Sequence, residues 1–191
     1  MPRRSILSAT DRDNLLAMPD AQDELIRHYT FSEADLAIIR QRRGSANRLG
    51  FAVQLCYMRY PSVALGVDEI PSPPLLRLVA AQLKMDPNKM DPKTAEECWA
   101  DYGQRDQTRR EHLAKLQLVF GFQTFGIKHY RTAVQSLDDL ARQTDKGVVL
   151  ATALIQSLRS QSILLPSVNV IERICAEDAR LHGCRCGPTL L

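Results

Sequence analysis

Apolar residues recur along this chain at intervals of three and four, and no stretch shows the two-residue alternation of a half-buried strand. That pattern restricts the fold to helices packed on helices, and an all-α architecture is expected. Start and stop signals divide the pattern into segments. Thr10 precedes a short amphipathic stretch through Leu15, Leu16 and Met18 that Pro19 ends, and Asp20 is the expected cap of a helix from Ala21 to Tyr29 with Leu25 and Ile26 inward. Ser32 and Glu33 open the next helix, whose apolar residues are Leu36, Ile38 and Ile39 and which should end near Arg43-Gly44, with Gly44 as its left-handed terminator.

Ser45 is the expected cap of a longer helix, Ala46 to Tyr60, stopped by Pro61. Leu49, Val53, Cys56, Tyr57 and Tyr60 form one apolar stripe on it and leave Asn47, Arg48, Gln54 and Arg59 as the polar remainder. Two helices joined through Gly44, the second with an apolar back and an arginine-bearing first turn, have the pattern of a helix-turn-helix. Residues 62–74 hold Gly66 and Pro71, Pro73 and Pro74, and read as a linker between two lobes. Further helices are expected from about Pro74 to Leu83, from an Asp91-Pro92 start to Tyr102, and after a capping box formed by Thr108 and Glu111. Tyr130 to Arg142, Lys146 to Leu158 (capped by Asp145) and Val168 to Leu181 (capped by Ser167) complete a bundle. The expected organisation is therefore a first helix-turn-helix lobe over 1–61, a linker over 62–74, a second helical lobe with bundle over 75–182, and an irregular tail over 183–191.

The distribution of charge says more than its sum. The 191-residue chain carries a net charge of only +3, but from Leu36 to Val67 it has no acidic residue, while Arg40, Arg42, Arg43, Arg48 and Arg59 all lie in that window. A second cluster holds Arg105, Gln107, Thr108, Arg109, Arg110 and Lys115. Each cluster leads into a helix, and a helix N-terminus presents unpaired N–H groups and partial positive charge. Guanidinium groups added there suit phosphates and guanine edges. Both clusters are therefore candidate contacts to double-stranded DNA: Arg42, Arg43 and Lys115 as phosphate holders, Asn47 and Gln54 as groups able to read adenine, Arg48 as one able to read guanine.

Arg27-His28-Tyr29-Thr30-Phe31, Ile39 to Gly44, Asn47 to Cys56, Tyr102-Gly103-Gln104-Arg105, Thr108 to His112, Leu165-Pro166 and Ile171-Glu172-Arg173 resemble, in order, the N-terminal region of the large replicative transposases of the Tn-three family. The resemblance implies a helical region that binds the terminal inverted repeats of a transposon. It also implies a much larger catalytic part with an RNase-H-like fold, to which an aspartate-aspartate-glutamate site and its Mg²⁺ would belong. After Glu177 the family continues as helix, whereas this chain runs through Gly-Cys-Arg-Cys-Gly-Pro, so a truncated or partial chain is expected.

Other chemistries find little support. Cys175, His182, Cys184 and Cys186 have spacing too tight for the usual zinc pairs. The adjacent acids Glu96-Glu97 and Asp138-Asp139 point about 100° apart on a helix. No phosphate loop or nucleophile elbow is present. No catalytic residue, metal or cofactor is therefore expected in this chain. Five cysteines, an odd number, together with the absence of an apolar leader or a membrane-length run, suggest a reducing cytoplasm and association with the nucleoid when on DNA. The rival reading is a helical adaptor whose polar faces bind protein, either the rest of a transposase or another copy of one.

Overall fold

The computed structural model describes residues 6–19, 21–66, 69–85, 94–104, 106–144 and 146–183, with side chains as far as residue 177. Among them lie ten helices and one isolated parallel bridge, Gln123 with Ile163, so the all-α expectation holds. The helices are α1 (Ala9–Leu15), α2 (Gln22–Tyr29), α3 (Glu33–Arg40), α4 (Ser45–Arg59), α5 (Pro73–Gln82), α6 (Ala95–Gly103), α7 (Asp106–Phe120), α8 (Ile127–Ala141), α9 (Gly147–Ser160) and α10 (Val168–Gly183). None of the described helices is long and apolar enough to cross a membrane.

Two compact units divide the chain, one of residues 18–122 and one of residues 1–17 with 123–191. The segment 62–74 therefore joins helices that share a core: α5, on its far side, packs against α4 and α2. Pro73 and Pro74 occupy the first turn of α5, where a missing N–H costs nothing and the fixed φ favours helix.

In the 18–122 unit, α4 is the hub, packed by α2, α3, α5, α6 and α7. Every residue from Leu49 to Met58 is buried, so the helix has no solvent face along its middle. The single-stripe expectation is corrected here: Phe51, Leu55 and Met58 make the opposite face apolar too, and a helix apolar all round must be surrounded. Gly50 permits the closest approach, because a Cβ there would lie 2.2 Å from the Tyr102 ring of α6. Ile26, expected inward, is 45% exposed, and only Leu25 and Tyr29 of α2 are buried.

Capping follows sequence chemistry with shifts in position. Ser32 and Asp35 form the box that opens α3, and Thr94 and Glu97 the one that opens α6, three residues after the expected Asp91-Pro92 start. The expected caps Asp20, Asp91 and Asp145 and the Arg105 position fall outside the described residues, as do Cys184 and Cys186. In the other unit α8, α9 and α10 pack on one another. Gly147 opens α9 against the backbone of Ile6, where a Cβ would lie 2.2 Å from the Ile6 carbonyl oxygen. Glu172 of α10 accepts from the Ile6 N–H at 3.1 Å and pairs with Arg12 of α1.

Candidate nucleic-acid interface

The turn between α3 and α4 is built by its own sequence. Gln41 and Arg42 close the end of α3 by donating their N–H groups to Ile38 and Ile39. Gly44 then takes φ = 81°, a left-handed value that favours glycine, and its carbonyl accepts the Arg48 N–H at 3.1 Å. Gly44 is thus the N-cap of α4, one position earlier than the expected cap Ser45, which is instead its first helical residue. No side chain caps α4. Two side chains of α4 reach back over the turn: Asn47 Nδ2 donates to the Arg43 carbonyl and Arg48 Nε to the Arg42 carbonyl, each at 2.9 Å. The turn is pinned, while Arg40, Arg43 and Arg48 are exposed on it. Arg40 has one acidic neighbour, Glu33 at 3.7 Å.

Arg42 behaves differently from its neighbours. It is half-buried, its guanidinium lies 5.1 Å from the centre of the Phe51 ring, and its Nε is buried without a hydrogen-bond partner among the described residues. Phe51 meets His112 of α7 edge-on at 5.1 Å, and His112 stacks on Tyr102 of α6 at 5.6 Å with its Nδ1 3.0 Å from the Tyr102 hydroxyl. Burial, joined by the nearby Arg42 cation and opposed by Glu111, pushes the His112 pKa down to about 4. The ring is neutral near pH 7. Burial likewise raises the Tyr102 hydroxyl, which stays protonated.

Helix α7 begins at Asp106, so Thr108 lies inside its first turn and the expected Thr108–Glu111 capping box gives way to a bond from Gln107 Nε2 to Glu111 Oε1 at 2.9 Å. Arg109, His112 and Leu116 form its buried stripe at spacings of three and four. Gln107, Arg110 and Lys115 are exposed and Thr108 is half-buried. Asp106 and Glu111 are exposed beside them, so among the described residues the turn before α4 is the more strongly basic segment.

Three expected contact residues face inward. Gln54 is 4% exposed and donates through Nε2 to the Arg109 carbonyl at 3.2 Å; Arg109 is 6% exposed and donates through Nη2 to the Gly66 carbonyl at 2.6 Å. Arg59 forms a two-pronged pair with Asp35 at 2.6 and 3.0 Å and lies over the Phe120 ring at 5.3 Å. Burial works against the ionised form of Asp35, but the bonds from Arg59 and Ser32 outweigh it and hold its carboxyl below the ordinary carboxylate range. These three bind helices to one another, and the expected contact residues that are exposed are Arg40, Arg43, Arg48, Gln107, Arg110 and Lys115.

Sequence reasoning passed over His112, Phe51, Tyr102 and Asp35. The signal for Asp35 was its place three residues after Ser32, and for His112 its place between Arg109 and Leu116 in a three-and-four series. Nothing in the sequence pairs Phe51 with His112, since α6 intervenes along the chain.

A family described as a domain of unknown function, DUF4158, matches residues 6–177. The chain belongs to that family. It is 67% identical over 177 residues to the transposase for transposon Tn3926 of Escherichia coli, covering 93% of this chain and 17% of that protein. To the transposase for transposon Tn21 of Escherichia coli it is 64% identical, and to that for transposon Tn501 of Pseudomonas aeruginosa 52%, with the same two shares covered. The chain spans about 17% of the length of these relatives and corresponds to the N-terminal part of Tn-three family transposases, as the motif resemblance implied.

Proposed function

We propose that this chain is the DNA-binding part of a transposase, holding double-stranded DNA at the terminal inverted repeats of its transposon. The observation that carries the reading is the turn before α4: three exposed arginines, Arg40, Arg43 and Arg48, in a window without acids, on a backbone held by Asn47 and Arg48 at a helix start that no side chain caps. Such a turn offers cations, and the positive end of the α4 dipole, to phosphate oxygens without reorganising. Among the described residues Arg48 bonds internally through Nε, which leaves its terminal nitrogens for a phosphate or a guanine edge. Asn47 spends its amide on the turn, so its part is to fix the turn rather than to read adenine. Arg110, Lys115 and Gln107 add a second group of donors from α7.

The test is fluorescence anisotropy of the purified chain with a duplex carrying the inverted repeat of transposon Tn3926 and with a scrambled duplex, over a range of salt. Arg43→Ala should reduce the slope of log K against log salt by about 0.9 on both duplexes, and Arg48→Ala should weaken binding to the repeat more than to the scrambled duplex. Absence of any salt-dependent binding would refute the proposal and favour the protein adaptor. Binding should also survive chelation of Mg²⁺, because no step of it involves a metal.

A further inference from the structure

The sequence pattern places the two basic segments in separate lobes joined by a proline-rich linker, but the side chains between them form one packed series. Arg42 of the turn lies on Phe51 of α4, Phe51 on His112 of α7, and His112 on Tyr102 of α6, whose ring in turn fills the space left by Gly50. A second connection runs from the Gln54 amide of α4 to the Arg109 carbonyl of α7. Phe51, His112, Tyr102, Gln54 and Arg109 are buried and Arg42 is half-buried; the first connection starts beside the exposed Arg43, and the second ends beside the exposed Arg110. Packed interiors of this kind do not deform continuously, so the two cations are fixed in relation to each other.

Resting on the DNA-binding reading above, we infer that Arg43 and Arg48 of the turn and Arg110 and Lys115 of α7 form a single rigid face that engages one short stretch of duplex, with Phe51 and His112 as the positioning residues between them. Packed helix axes lie about 8–10 Å apart, whereas successive major-groove half-sites lie about 34 Å apart. Because α4 and α7 pack directly on one another, a footprint within one helical turn of DNA is expected of them. Two independently tethered modules would have no such limit, because a flexible linker sets only a range of reach.

Hydroxyl-radical footprinting with the full chain on the Tn3926 repeat duplex decides between these arrangements. Arg43→Ala and Arg110→Ala should each weaken binding, and the protections each one loses should fall inside one shared block of about 10 base pairs. Losses separated by more than a helical turn, or a loss with only one of the two variants, would overturn the single face and leave the DNA-binding reading standing. No loss with either variant, nor with Arg48→Ala, would overturn the DNA-binding reading itself. Both positions are exposed, so unchanged circular dichroism is expected and confirms that the comparison is between folded proteins.

Discussion

Lowering the pH should destabilise the 18–122 unit through His112, and the size of the effect follows from its surroundings. In the unfolded chain the ring takes up a proton near pH 6.5; in the folded unit burial and the Arg42 cation delay that to about 4. Between those values the unfolded state holds more protons, so stability falls as pH falls and levels off below the folded value. Integrating the difference from about pH 7.5 down to about pH 5 gives a loss of about 2 kcal/mol. Trp99 is the single tryptophan and its ring lies 5.6 Å from Tyr102, so its fluorescence in urea titrations reports on this unit directly. His112→Asn keeps a polar group near the Tyr102 hydroxyl but cannot titrate. Its stability should be lower at neutral pH, yet about 2 kcal/mol less sensitive to the same pH change than that of the wild type. Arg42→Ala should show part of the same reduced sensitivity, since it removes one of the two causes of the lowered pKa. Parallel pH profiles for the wild type and His112→Asn would refute the argument, because they would mean that the ring is as easily protonated folded as unfolded.

Gly50→Ala places a methyl group 2.2 Å from the Tyr102 ring and should cost about 1–3 kcal/mol by overpacking, read as a lower urea midpoint by Trp99 fluorescence. Asp35→Asn removes the charge paired with a partly buried Arg59 and should destabilise by about 3 kcal/mol at neutral pH, with a smaller difference in acid, where the wild-type carboxyl is itself protonated. Gln54→Ala removes the amide that bonds to the Arg109 carbonyl; it should cost about 1 kcal/mol of stability in the same titration while the salt slope for DNA remains unchanged, and a reduced slope would return Gln54 to the contact residues.

Local chemistry carried most of the secondary structure. The three-and-four recurrence of apolar residues, the Ser32 and Thr94 boxes, the prolines at the start of α5 and the glycine before α4 depend on neighbours within one helical turn, and such interactions are set by residues a few positions apart. The acid-free arginine window and the ordered motifs shared with the transposases are likewise properties of the chain as written. What the tertiary structure decided is which polar residues reach water. Gln54, Arg59 and Arg109 look as exposed in sequence as Arg43, Arg48 and Arg110, but α4 is covered on every side, and the first three are drawn into bonds with groups 55, 24 and 43 residues distant. The same enclosure joins two stretches that read as separate lobes. Whether a guanidinium faces a phosphate or a buried carbonyl depends on which helices close over it, and that depends on packing between segments whose pairing no local pattern encodes.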